Sequence, residues 1–347
     1  MWEERAHRVR REIAALAGAG LGVQDLHAEA IRLVGATVGA ELACWAVIDP
    51  ESLVISTMVS GDARIPPEYE PKLAEAEYSP AEPHRFAALA VRGEPVAKLS
   101  DLPAAERGRS TRLRDVWRPL GLDRELRVLF RADGACWGAA GMVRAGPDFT
   151  DRETAFLATI APAVGAATRL AVRAEASGWP GDGRPAVVVL GPGGELRAIT
   201  PSARSWQERF DEISPGRFGV IMRVMAAGAR SAASGEFRAR LRDGRGRWAV
   251  LRAGPLIGMD EDQVAVAIEP ATGEQMVGLL LVAYGLSPRE RDVCREVMAG
   301  YSTSEIGGHL FISANTVQDH LKSIFAKVGV RSRGELVARL RPDPPAR

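Results

Sequence analysis

The residues that most constrain this chain lie near its C-terminus, between 286 and 340. Three Ser-x-x-Glu pairs recur there: Ser287 with Glu290, Ser302 with Glu305, and Ser332 with Glu335. In such a pair the serine hydroxyl accepts a hydrogen bond from a free backbone N–H at a helix start. The glutamate accepts one from the serine's own N–H. One pair is a weak signal, but three at helix-length spacing predict four short helices. The first is expected over Pro288–Met298, with proline preorganised for the opening turn and Gly300 suited to end it. The second runs over Thr303–Leu310, and a three-residue turn at 311–313 follows. The third starts after Ser313 and stops at Gly329. Val317, Leu321, Ile324, Phe325 and Val328 form its single apolar stripe; Asn315, Gln318, Asp319, Lys322 and Ala326 fall on the other side.

A polar helix face is usually only solvated. Here the helix follows another through a tight turn, and cations flank it: Lys327 in its last turn, Arg331 and Arg333 just beyond. Such cations suit phosphates. A helix of about 15 residues spans roughly 22 Å and fits a major groove roughly 12 Å wide. His320 on this helix could carry charge near phosphates. The commoner role of such a histidine is packing at the helix edge as a hydrogen-bond donor.

Charge agrees mildly with this reading. Residues 286–347 carry 10 Arg/Lys and 7 Asp/Glu, a net of +3, whereas the rest carries 35 and 37, a net of −2. Of the four lysines, Lys322 and Lys327 lie in the third helix.

The stretch closely resembles the LuxR-type helix-turn-helix. The resemblance rests on Leu286-Ser-Pro-Arg-Glu290, Gly300, Ser302, Glu305-Ile306, Leu310, Ile312-Ser313, Thr316-Val317, His320, Ile324, Lys327, Val330, Arg331 and Arg333. It implies a four-helix DNA-binding domain whose third helix enters the major groove and whose fourth often forms a dimer contact. Carried over residue by residue, it makes Gln318, Asp319 and Lys322 base readers. Thr303, Ser313, Asn315, Thr316, Lys327, Arg331 and Arg333 complete the expected DNA-binding set. Two departures stand out. Gln318 replaces a usual lysine and offers an adenine-compatible amide. Gly307-Gly308 replaces alanine and a polar residue, so either the second helix is soft or another backbone comes close.

At 347 residues, two or three domains are expected. With 46% apolar and 26% charged residues, the chain reads as soluble and globular. No apolar run is read as long enough to span a membrane, and the N-terminus lacks a signal peptide's apolar core. Cys44, Cys136 and Cys294 lie far apart, which points to a reducing cytoplasm and against a disulfide or zinc framework.

From the N-terminus, residues 1–40 are expected to be helical, broken by the glycines of 18–22. Strands at 43–48 and 53–58 form a hairpin, and 61–82 is expected to be a loop. Short helices follow at 86–91 and 107–117, then strands at 126–130 and 136–143. A long helix runs from 151 to 170, with a kink expected at Pro162. This order resembles a GAF domain over roughly residues 20–175, best at 126–143 and at Asp148-Phe-Thr-Asp-Arg-Glu153. Such domains mostly bind small molecules or chromophores, or dimerise. The Asn-Lys-Phe-Asp-Glu signature of the cyclic-nucleotide binders is missing, and no cysteine is placed for bilin attachment.

Residues 177–185 read as a linker. Strands at 186–190 and 195–199, helices at 202–210 and 218–233, and strands at 236–241, 248–252 and 264–268 then give a PAS-like order. That part contains neither cysteine nor histidine, so a flavin thiol and a histidine-bound haem are unsupported. The apolar segment 274–283 is expected to be a short helix that packs against a neighbour or couples the front to the C-terminal domain.

The sequence shows no Gly-Lys-Ser/Thr phosphate loop and no H-x-x-x-H or C-x-x-C spacing. Cys44 and Cys136 sit in apolar strands, where inert thiols are the default. The chain is therefore read as a non-enzyme with no cofactor. The expected fold class is α+β multidomain: antiparallel-sheet domains at 1–178 (GAF-like) and 179–272 (PAS-like), a connecting helix at 273–285, and an all-α four-helix domain at 286–347. The expected function is a cytoplasmic transcriptional regulator that binds double-stranded DNA as a homodimer under control of its front regions. RNA polymerase and a small-molecule effector are further candidate partners, and no membrane is. In the alternative, the front regions only dimerise or dock a protein.

Overall fold

The computed structural model describes residues 2–176, 186–257 and 262–340. The linker expected at 177–185 lies outside the described residues. The chain separates into two compact units, residues 1–171 with 182–270, and residues 172–181 with 271–347.

The first unit holds two five-stranded antiparallel sheets. Its elements begin with α1 (Trp2–Leu16), α2 (Val23–Gly35), β1 (Leu42–Ile48), β2 (Ile55–Ser60), α3 (Glu70–Tyr78), α4 (Phe86–Arg92), β3 (Val96–Lys98) and α5 (Ala104–Arg107). A π-helical turn over Leu113–Trp117, β4 (Arg124–Ala132), β5 (Ala135–Arg144) and α6 (Asp151–Ala176), which belongs to this unit as far as Ala171, follow. The first sheet has the order β2-β1-β5-β4-β3. Alternation along its strands sorts side chains to two faces. Trp45, Leu126, Val128 and Phe130 meet α1, α2 and α6 in one core, whereas Ile48, Leu129 and Ala139 meet α4 in another.

The helix α6 lies directly on β4. A Cβ on Gly165 would stand 2.7 Å from the carbonyl oxygen of Arg131, so only glycine permits this approach. By length and composition α6 could cross a membrane, contrary to the reading that no such run exists. Its apolar side, with Phe156, Leu157, Ile160 and Val164, is buried in the core of the first sheet. The helix continues through Pro162.

Two expectations for this region fail. Residues 61–82 are not all loop, because α3 occupies Glu70–Tyr78. This helix has no apolar stripe to announce it. Polar contacts hold it: Glu77 Oε1 accepts from Phe86 N at 2.6 Å, and Tyr78 Oη accepts from Ile55 N at 3.1 Å. Nor does one helix run over 107–117; α5 ends at Arg107, and Ser110 and Glu82 cap a new turn instead. A buried chain of charges, Glu82–Arg112–Glu125–Arg127–Glu77, then ties that turn to β4 and α3. Burial alone would raise the Glu125 carboxyl, but Arg112 and Arg127 hold it down to about 2.

The second sheet comprises β6 (Ala186–Leu190), β7 (Leu196–Ile199), β8 (Phe237–Arg242), β9 (Trp248–Pro255) and β10 (Val264–Pro270), in the order β7-β6-β10-β9-β8. Helices α7 (Pro201–Asp211) and α8 (Arg217–Ser231) bury Phe210, Phe218, Ile221 and Met225 against Leu241, Leu251 and Ile268. Numbered within itself, each sheet runs 2-1-5-4-3. Side chains join the two halves of this unit. Glu75 on α3 pairs with Arg223 on α8 at 2.7 Å, and Asp49 Oδ2 accepts from Arg240 N at 3.0 Å.

The second unit contains α9 (Gly273–Ala283), α10 (Pro288–Met298), α11 (Thr303–Leu310), α12 (Ala314–Val328) and α13 (Arg333–Leu340), with α10, α11 and α12 forming the centre. The expected helices at 274–283 and in the C-terminal stretch are all present.

Candidate nucleic-acid interface

Each helix of the C-terminal unit starts where its cap dictates. Ser287 N donates to Glu290 Oε2 at 2.7 Å, and Glu290 N donates back to Ser287 Oγ. Ser302 and Glu305 repeat the arrangement at α11. The third pair differs. Glu335 N donates to Ser332 Oγ, but the Glu335 carboxylate takes the N–H of Arg331, at 2.8 Å, rather than that of Ser332. A further box escaped the sequence reading: Thr272 and Gln275 cap α9 in the same reciprocal way.

The turn between α11 and α12 is tight. Phe311 adopts a left-handed conformation with φ of 55°, and Ile312 N donates to Gly307 O at 3.0 Å. A Cβ on Gly307 would stand 2.8 Å from the carbonyl oxygen of Ile312. Of the two readings of Gly307-Gly308, close backbone approach therefore holds at Gly307. Gly308 faces open space, and nothing in the structure explains it. Ser313 Oγ caps α12 through Thr316 N at 3.1 Å, and Gly329, with φ of 75°, ends the helix.

The apolar stripe of α12 faces inward, with Val317, Leu321, Ile324 and Val328 buried and Phe325 half-buried. Asn315, Gln318, Asp319 and Lys322 are exposed on the opposite side. Lys322 Nζ lies 3.2 Å from Asp319 Oδ1, a pair whose side chains are more than 70% exposed and therefore weak. Thr303 gathers two other expected residues. Its Oγ1 accepts from Gln318 Nε2 at 3.3 Å and from Arg333 Nη2 at 2.7 Å, while Arg333 Nη1 donates to Tyr301 O. Gln318, Thr303 and Arg333 thus form one connected surface across α12, α11 and the start of α13. Arg331 is exposed, and His320 is half-buried.

Lys327 is placed differently. Its Nζ donates to Glu290 Oε2 at 2.6 Å, and Ser323 Oγ donates to Glu290 Oε1 at 2.6 Å. Burial would raise the Glu290 carboxyl, but Lys327, Ser323 and the Ser287 N–H together lower it to about 2. One carboxylate thereby caps α10 and clamps α12 to it. Sequence reasoning also missed His309, whose Nδ1 lies 2.6 Å from Glu296 Oε2 and whose ring meets Tyr301 edge-on.

The chain has known relatives over this unit. The family model described as bacterial regulatory proteins, luxR family, matches residues 285–340. An HTH-type transcriptional regulator of Mycobacterium tuberculosis is 50% identical over 52 residues, which is 15% of this chain and 6% of that one. The CsgBAC operon transcriptional regulatory protein of Escherichia coli is 40% identical over 53 residues, 15% of this chain and 24% of that one. The spore germination protein GerE of Bacillus subtilis is 38% identical over 55 residues, 16% of this chain and 74% of GerE. The chain therefore spans only a small part of the mycobacterial and Escherichia relatives. Among solved structures, a Vibrio VqmA–ligand–DNA complex aligns at 14% identity over 49% of this chain and 87% of its own, with a TM-score of 0.22. Pseudomonas aeruginosa PelD aligns at 14% identity over 80% of this chain and 84% of its own, with a TM-score of 0.32.

Proposed function

Through residues 285–340 the chain belongs to the luxR family of bacterial regulatory proteins, and we propose that it is a transcriptional regulator that binds operator DNA as a homodimer. The observation that carries this is the exposed polar face of α12, presented by a tight turn and by caps at both ends. The helix enters the major groove. Gln318, Asp319 and Lys322 read base edges, and Thr303, Ser313, Asn315, Thr316, Arg331 and Arg333 position the backbone. Lys327 serves Glu290 and so acts as a brace within the domain.

One small domain gives weak, salt-dependent affinity, on the order of 10⁻⁴ to 10⁻⁶ M without sequence preference. Two copies on paired half-sites raise it through effective concentration. The front regions, GAF-like over 1–178 and PAS-like over 179–272, act as sensors that bias this arrangement through the helix at 273–285. The shared 2-1-5-4-3 strand order of the two sheets and the cavity described below support that reading. Genomic footprinting with the full chain tests it: a recurrent two-fold symmetric site is expected, and uniform occupancy would reject it.

A further inference from the structure

A cavity of about 500 Å³ lies in the first unit between the first sheet and the elements of the second. Leu42, Cys44, Met58 and Val143 line it from the first sheet, and Ser214, Arg217, Val220 and Ile221 from α8 and the turn before it. Helix α3 adds Leu73, Ala74 and Tyr78. The size lies within the range of small-molecule sites, roughly 300–1,000 Å³, and the lining is mostly apolar, as such sites are.

Most charged groups on this lining are already answered. Glu77 pairs with Arg127 at 2.6 Å, and Glu125 with both Arg112 and Arg127. Glu212 lies 3.9 Å from Arg245, Glu70 accepts from Ser214 Oγ, and Asp25 and Arg64 are exposed. Arg217 differs. It is only 8% exposed, yet its hydrogen-bond partners are two backbone carbonyls of β2, Ser56 O at 2.8 Å and Ile55 O at 3.4 Å. Its Nε has no partner, and among the described residues no carboxylate forms an ion pair with it, Asp211 acting on it only through space. A guanidinium cannot shed its proton to escape burial, so a buried one without a counter-ion is costly. Burial accordingly pulls its pKa below the usual arginine value.

We propose that Arg217 anchors the carboxylate of a small organic acid whose apolar body fills this cavity. The proposal rests on the sensor reading and gives it a ligand class. A carboxylate supplies the planar acceptor that a guanidinium fork binds best. The body of the acid displaces water from Leu42, Met58 and Val143 on one side and from Val220 and Ile221 on the other. The occupant therefore touches both sheet domains of the unit and ties them together.

The test uses the full chain, by calorimetry and thermal melting, with 3-phenylpropionate, indole-3-acetate and octanoate, each beside its neutral amide. At least one acid is expected to bind about tenfold more tightly than its amide, the scale of one charge-assisted pair. Arg217→Met should bring that acid to the level of its amide, and Arg217→Lys should recover part of the difference. Ala74→Phe, which fills the cavity and leaves Arg217 in place, should abolish binding of acid and amide alike. Should Arg217→Met fail to fold, the acid–amide comparison and Ala74→Phe still decide. Amides that bind as well as acids, or acid binding unchanged in Arg217→Met, overturn the carboxylate anchor and leave a sensor. No binding by either class overturns both.

Discussion

The ammonium of Lys327 rests 2.6 Å from the carboxylate of Glu290, a residue 37 positions earlier that also caps α10. A cation that its place in the family motif offers to DNA thereby has a partner within its own domain, although its side chain is still 38% exposed. Glu290→Gln should destabilise the C-terminal unit by about 1–3 kcal/mol, because the buried Glu290 carboxylate accepts from Lys327, Ser323 and the Ser287 N–H together. Lys327→Met should also destabilise the unit, yet change the salt slope of DNA binding by clearly less than one ion. Urea unfolding and a salt titration of binding check both. A full unit of slope lost in Lys327→Met would return this lysine to the phosphates.

Lys322 is the contrasting case: it is 77% exposed and its partner Asp319 is exposed as well, whereas Lys327 meets a buried carboxylate. Lys322→Ala should leave melting unchanged, cost about 1–3 kcal/mol of operator affinity and relax the preference at the base pair it reads. Combined with Gln318→Ala, it should also abolish discrimination between operator and scrambled DNA. Unchanged discrimination in the folded double variant would remove α12 as the reading helix.

The buried His27 sets an acid limit for the first unit. Burial first, and the charge of Arg242 second, lower its pKa from 6.5 to about 4. Its Nε2 lies 2.9 Å from Thr168 Oγ1. The unfolded chain binds a proton in this window that the folded chain refuses, so stability rises with pH. The contribution is complete above about pH 6.5 and disappears as pH falls towards 4, amounting to about 3 kcal/mol. His27→Gln should flatten the dependence of unfolding midpoint on pH between those values. Equal slopes in both proteins would assign the effect elsewhere.

Glycine at two close approaches yields a packing prediction. Gly165→Ala would press a methyl group on the β4 backbone, and Gly307→Ala would press one on Ile312 O. Each should cost about 1–3 kcal/mol, since backbone cannot yield as a flexible side chain does. Gly308→Ala, which meets open space, should stabilise α11 by up to about 1 kcal/mol. Thermal melts of the three variants separate these cases; a neutral Gly307→Ala would mean that the turn relaxes freely.

Local rules made the C-terminal helices legible in the sequence. Capping, proline at the first turn and the stripe from Val317 to Val328 act over a few residues, and α10, α11 and α12 occupy the expected spans. The misses are non-local. Helix α3 is held by Arg127 and by the N–H of Ile55, 50 and 23 residues from their partners on it, and β3 is three residues long, too short to show alternation. Glu335 looked like a partner for Ser332, but Arg331 N competes for the same carboxylate. The Glu290–Lys327 clamp has no periodic signature, because it depends on how two helices meet in space, whereas the close contact at Gly307 is legible as one of the two readings of Gly307-Gly308.

The contacts at Thr303 bear on the polarity of the surface around it. A threonine hydroxyl has two lone pairs and one proton. Gln318 and Arg333 both donate to this oxygen, so its accepting capacity is taken. What it still has to give is the proton. At the first turn of α11 that makes Thr303 a committed donor, a valence that a phosphate oxygen satisfies and a donor-rich ligand such as an ammonium does not.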